Sequence, residues 1–399
     1  RRKDAAGWRG SAEVLNRIGQ ECARHGIELA YHHHHFEFQK IDGQYALDLL
    51  WQNTDPQFLK AELDTFWIRY AGEDPARYVA RGGSGRTMSR TVVRGGLVIT
   101  AAEETSADVL IEDETVVALA ATGSSVAQSW TADTEIDAAG CYVVPGGVDG
   151  HTHMEMPFGG TTASDTFETG TRAAAWGGTT TIVDFAIQQI GGSLREGLDA
   201  WHAKADGNCA IDYAFHMIMA DVNEGSLKEM EALVGEGVTS FKLFMAYPGV
   251  LYSDDGQVLR AFQKGAETGG LILMHAENGI AIDVLIEQAL ARGQTDPRYH
   301  GIVRHELLEA EATHRAIKLA QVANAPVYIV HLSAEKALAE VAKARDEGYN
   351  AFAETCPQYL FLSYDDLARP GFEGAKYVCS TPLRPREHQA ALWRGLRTN

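Results

Sequence analysis

Two histidines separated by one threonine, in Asp149-Gly150-His151-Thr152-His153, follow directly on the apolar run 141–148. Residues two apart on a β-strand share a face, so both imidazoles can reach one metal ion from the strand's C-terminal end. Lys242, His275 and His331 stand at the ends of later apolar runs. Four imidazoles suit zinc or a similar divalent cation. An ammonium cannot ligate a cation, so Lys242 fits such a set only if carbon dioxide has added to its amine. The resulting carbamate has two oxygens and can bridge two metals. A bridged pair lowers the pKa of a shared water and polarises a carbonyl, which is the chemistry of amide hydrolysis. The duller readings are a hydrogen-bonded core histidine at each position and a lysine with a buried stem and an exposed head. The i, i+2 pair and the repeated placement at run ends favour the metal centre. His202, His216, His300, His305 and His314 fall in helices, loops or strand interiors and are expected to be structural.

Bringing such residues to one place demands parallel strands. From residue 141 onward, strand-like runs (141–148, 179–185, 211–217, 239–245, 271–275, 327–331 and 349–353) alternate with helical ones such as 194–205, 227–234 and 334–345. That alternation predicts an α/β fold with crossover helices, a TIM (β/α)₈ barrel whose active site gathers at the strands' C-terminal ends. Seven strands fit before Asn399, so the barrel is expected to be incomplete, its eighth strand lying past the chain's last residue. Short runs at 91–93, 97–100, 107–112 and 115–120 predict a small antiparallel β unit, part of a β-sandwich. Before it, helical stretches at 11–25 and 45–51 and strand-like ones at 27–32 and 58–63 form an N-terminal α/β fragment. Arg81-Gly-Gly-Ser-Gly-Arg-Thr87 breaks the pattern, and Met88 reads as a fresh start. The expected parts are therefore 1–87, 88–140 and 141–399.

Composition narrows the class of partner. A formal net charge of −19 would repel a phosphate backbone, which argues against nucleic acid. No run reaches the ~18 apolar residues that a membrane span needs. Five scattered cysteines without CxxC spacing argue against a disulfide framework and for a reducing cytoplasm. The start at Arg1 suggests an N-terminally shortened chain.

The motifs Gly146-Gly-Val-Asp-Gly-His-Thr-His-Met-Glu-Met-Pro-Phe158, Thr239-Ser-Phe-Lys-Leu-Phe-Met-Ala-Tyr-Pro-Gly249, Leu273-Met-His-Ala-Glu-Asn278, Val330-His-Leu-Ser333 and Glu354-Thr-Cys-Pro-Gln-Tyr-Leu360 closely resemble those of dihydropyrimidinases, also called D-hydantoinases. The resemblance runs from Met88 to Asn399. It implies that His151 and His153 hold one zinc ion, that His275 and His331 hold a second, and that carboxylated Lys242 bridges them. It further implies that Tyr247 polarises the substrate carbonyl, that the Ser380 backbone holds the cyclic amide, and that Met156 and Phe158 wall the pocket for its exocyclic group. The expected substrate is a small cyclic amide, either a dihydropyrimidine or a 5-substituted hydantoin. Related amidohydrolases that bind acids carry an arginine two positions after the second histidine; Glu155 stands there and favours an uncharged ring. Intact relatives assemble as tetramers. The resemblance also implies an aspartate on the eighth strand, serving as metal ligand and proton shuttle, which lies past Asn399. The chain as written is therefore expected to have negligible activity.

Gly26-Ile-Glu-Leu-Ala-Tyr-His-His-His-His-Phe-Glu-Phe38, with Ala61-Glu-Leu-Asp-Thr-Phe-Trp67, resembles sugar phosphate isomerases/epimerases of the xylose-isomerase-like barrel class over residues 8–87. Asp64 matches a position that can ligate metal there, and His34 and Glu37 lie in the strand-end motif. Two strands cannot close a barrel. Three alternatives to a cyclic amidase stay open: an isomerase, a non-catalytic protein that keeps a metal pocket, and an artefactual join of two reading frames.

Overall fold

Seven parallel strands, paired in chain order, form one sheet: β1 (Gly147–Thr152), β2 (Thr179–Ile187), β3 (Asp212–Ile218), β4 (Ser240–Phe244), β5 (Leu271–His275), β6 (Val327–Ile329) and β7 (Ala351–Ala353). The computed structural model describes residues 4–25, 27, 29–62, 68–69, 71–73 and 89–398. Helices cross between consecutive strands, and the curled sheet with its helices is an incomplete TIM barrel. The helix starts are written in the sequence. Ser193 caps Leu194–Ala205 and Asp254 caps Asp255–Thr268, each with a reciprocal bond from the residue three positions on. Along β4 the period of two sends Phe241 and Leu243 into the fully buried core, leaving Ser240, Lys242 and Phe244 to share the other face.

The run 141–148 is not one strand, contrary to the sequence expectation. Tyr142–Val143 pairs with Arg90–Ile99, and β1 begins only at Gly147. Pro145 and Gly146 make the break. Gly146 packs so closely that a Cβ there would meet the Thr180 side chain at 2.2 Å. The chain accordingly divides into two compact units, Arg1–Pro145 and Gly146–Asn399.

In the first unit, Arg90–Ile99, Glu104–Glu112 and Thr115–Ala121 pair antiparallel, whereas Thr134–Asp137 and Tyr142–Val143 lie parallel to Arg90–Ile99. The expected antiparallel unit is thus mixed. The connection after Ala121 passes through the short helix Ser125–Ser129 instead of a hairpin turn, so the chain returns in the same direction. Nearer the N-terminus, helix Ala5–Arg24 packs Trp8 and Ala12 against Ala46, Leu49 and Leu50 of helix Ala46–Gln52. Ala30–His32 pairs parallel with Lys60–Glu62. Glu37 is buried and accepts from the Tyr31 hydroxyl at 2.9 Å and the His34 backbone N–H at 3.0 Å, a structural arrangement. Asp64 and the Thr87–Met88 junction lie outside the described residues. Among the described residues no helix is long and apolar enough to cross a membrane.

The turn after His331 is locked by a buried ion pair. Glu309 accepts from the backbone N–H groups of Ser333 (2.7 Å) and Ala334 (3.2 Å), from the Ser333 hydroxyl (2.7 Å) and from Arg384 (2.6 Å). Removing one partner of such a pair leaves an uncompensated buried charge. Arg384→Met is therefore expected to cost about 3–5 kcal/mol, measured as a lowered urea midpoint at unchanged slope.

Candidate active site

His151 lies in β1 and His153 one residue past its end, on the same face. The Thr152 side chain between them points the other way, donating to Asp184 of β2 at 2.8 Å. Asp184 also accepts from the Met154 N–H (2.7 Å) and Trp201 Nε1 (3.0 Å), so a fully buried carboxylate pins the turn from behind. Burial pushes the Asp184 pKa up against these three donors. In front, the imidazoles of His151 and His153 lie 5.1 Å apart at 82°, with the Phe185 ring 4.5 and 4.9 Å from them.

Lys242, at the centre of β4, is 1% exposed, and its Nζ lies 3.1 Å from His151 Nε2. The same atom sits 4.2 Å from the Phe185 ring centroid and 5.1 Å from that of Phe244. Among the described residues no carboxylate comes within ion-pair distance of it, and burial pushes its pKa down to about 7. The amine is thus substantially neutral near neutral pH, the form that can add carbon dioxide.

His275 closes β5, 4.5 Å from the ring of His331, which in turn lies 5.2 Å from His151. All five residues singled out from the sequence are therefore brought to one mouth of the sheet. Burial, with the Lys242 charge among the further causes, holds His151, His153, His275 and His331 below the usual imidazole pKa, so all four are neutral, ligand-competent bases.

Tyr247 sits beside them, its ring 5.2 Å from His275 and 5.2 Å from Phe158. Burial pushes its phenol up to about 12, Glu277 adding to the effect while Ser380 and Arg304 oppose it. Tyr247 and His331 both have left-handed backbones, with φ of 63° and 40°. Such conformations cost non-glycine residues about 1–3 kcal/mol and cluster at functional sites. Phe158 is 44% exposed, on the small hairpin Pro157–Phe158/Thr161–Thr162, while Met156 packs against the core. The Ser380 hydroxyl lies 3.4 Å from His300 Nε2, and that nitrogen is 2.8 Å from the Cys379 carbonyl. His216 bonds to the Gly150 carbonyl at 3.0 Å, supporting β1 from within. The Glu155 carboxylate lies 3.4 Å from the Phe167 N–H at the start of helix Phe167–Trp176.

Two carboxylates at the site went unassigned in the sequence reading. Glu277 Oε2 lies 2.7 Å from His275 Nε2. Glu354, one residue past β7, bonds to His151 Nδ1 and accepts from the His331 N–H and the Tyr328 hydroxyl, both at 3.2 Å. Glu277 had a local signal, standing two residues after His275. Glu354 had none, being 203 residues from its partner.

The donor set fits a pair of divalent ions. Among the described residues no three His, Cys, Asp or Glu side chains converge tightly enough to hold an ion by themselves. The four imidazoles instead form a chain of ring contacts from His153 through His151 and His331 to His275, with the Lys242 amine 3.1 Å from His151, and a carbamate on that amine would add two oxygens to the set. Among the described residues the buried Nδ1 atoms of His153 and His331 have no hydrogen-bond partner, which leaves them free for such a role.

The amidohydrolase family's sequence profile matches residues 142–301. A D-hydantoinase of Streptomyces coelicolor is 78% identical over 311 residues, covering 78% of this chain and 67% of that protein. A D-hydantoinase of Geobacillus stearothermophilus is 46% identical over 307 residues, covering 77% and 64%. The crystal structure of a dihydropyrimidinase from Brevibacillus agri superposes with a TM-score of 0.74 at 48% identity, covering 77% of this chain and 66% of that one. The chain thus spans about two thirds of the length of the relatives it matches. With that identity over two thirds of the relative's length and a shared fold, the chain belongs to the D-hydantoinase and dihydropyrimidinase group of the amidohydrolase family.

Proposed function

We propose that residues 141–399 carry the metal centre of a cyclic amidase acting on a dihydropyrimidine or a 5-substituted hydantoin. His151 and His153 would hold one divalent ion and His275 and His331 another, with N6-carboxylated Lys242 shared between them; imidazole donors favour zinc. A pair of divalent ions held by these residues would supply hydroxide at neutral pH and a Lewis acid for the carbonyl. The protein's own groups do the rest. Tyr247, a protonated phenol at neutral pH, donates to the carbonyl oxygen where negative charge develops. Ser380 holds the ring amide through its backbone, and Phe158 and Met156 wall the side that takes the exocyclic group. Phe185 and Phe244 keep water from the lysine.

The observation that carries this reading is Lys242 itself, a buried lysine amine 3.1 Å from the His151 imidazole with no carboxylate of the described residues within ion-pair distance. Among the described residues no uncommitted aspartate joins the five, so we further propose that this stretch binds metal but turns over slowly. The test is zinc content together with ring opening of dihydrouracil. About two ions per chain with weak hydrolysis is the expected result, as the four imidazoles and the bridge dictate. A chain that takes up no zinc in the presence of bicarbonate would refute the metal centre, and rapid turnover would refute the slow one.

A further inference from the structure

Each histidine pair at the mouth contains one imidazole steered by a carboxylate and one steered by packing alone. His275 and Glu277 are bonded at 2.7 Å, and their side chains are 2% and 1% exposed. His151 Nδ1 is bonded to Glu354. By contrast, His153 and His331 have buried Nδ1 atoms that meet no partner among the described residues. An imidazole that donates to a carboxylate has its proton fixed on that nitrogen, which leaves the other as a lone pair of raised basicity. For His275 the lone pair is on Nδ1. For His151 it is on Nε2, the atom facing Lys242.

The two carboxylates arrive by different routes. Glu277 follows His275 by two residues, and its second oxygen lies 3.8 Å from Arg304 Nε. Glu354 comes from the far side of the sheet: β1 and β7 are its two outer strands, yet the curl brings the end of β7 against His151. Each therefore bonds to one imidazole of a different pair, and Glu354 meets the other pair only through the His331 backbone N–H at 3.2 Å.

We propose that Glu277 and Glu354 are positioning residues with separate duties, Glu277 setting the affinity of the ion at His275 and His331, and Glu354 that of the ion at His151 and His153. This rests on the two-ion reading above. A glutamine in either place keeps an acceptor for the imidazole N–H but removes the charge that raises its basicity.

The test is zinc stoichiometry under dialysis against a competing chelator, with circular dichroism to confirm folding. The wild-type chain is expected to keep about two ions, from the donor set. Glu277→Gln and Glu354→Gln are each expected to weaken one ion by about 10–100-fold and to keep about one, while the double variant keeps almost none. A general loss of structure would strip both ions from each single variant together. If Glu277→Gln does not fold because Arg304 loses its counter-charge, Glu277→Gln/Arg304→Gln is read in its place. A single variant that keeps both ions at wild-type affinity overturns the proposal. So does a double variant that still keeps one, since both carboxylates would then serve the same ion. A wild-type chain that binds no zinc overturns the two-ion reading itself, a different result from either of these.

Discussion

Lys242→Ala is expected to empty the metal centre of both ions at once. Every other candidate ligand serves one ion, whereas the carbamate on Lys242 would contribute an oxygen to each. Losing an outer-shell partner typically costs about 10–100-fold in metal affinity, and losing a shared ligand should cost more than that at both positions. The outcome would be read as zinc per chain after gel filtration and as loss of any residual hydrolysis. The fold should survive, because the substitution removes an amine whose ammonium form burial already disfavours. A small carboxylate such as acetate, entering the space left by the side chain, should restore part of the metal. Retention of both ions by Lys242→Ala would mean that the lysine is only a spacer between the two histidine pairs.

The second large effect concerns proton transfer. Breaking a C–N bond requires a proton for the departing nitrogen, and the described carboxylates near the site are already committed. Asp184 is held by three donors, Glu277 by His275 and Glu354 by His151. Supplying an eighth parallel strand that brings an aspartate to the same mouth, fused after Asn399 or added in trans, is expected to raise ring opening of dihydrouracil by about 10²–10⁴-fold. The matched control carries asparagine at that aspartate. Equal rates for the two would show that the proton travels by another group, with Tyr247 the first to examine.

Much of this was legible in the residues. Lys242, His275 and His331 stood out because each ends or interrupts an apolar run, and strands 179–185 to 349–353 were placed within a few residues of β2 to β7. The first strand was misplaced because apolar character extends across Pro145-Gly146, which join two strands belonging to different units. The strand Thr134–Asp137 and its direction were both missed, because strand direction depends on the connection, and a one-turn helix leaves little trace in a sequence. Asp184 could have been flagged, since an aspartate inside Ile-Val-Asp-Phe must find donors once buried. Glu354 could not, because nothing near it in the chain foretells a bond across the mouth to β1.

The sheet's outer strands carry one more implication, for the behaviour of the material in a tube. β1 and β7 each have a side with no neighbouring strand among the described residues, and Val148 and Phe352 on them are exposed. In these 399 residues taken alone, such edges can pair with those of another copy. A formal charge of −19 holds those copies apart over a Debye length of about 10 Å in 0.1 M salt. Colloidal stability would then rest on electrostatic repulsion more than on topology, so concentrated salt or mild acid should turn a clear solution into a scattering one before any helix melts.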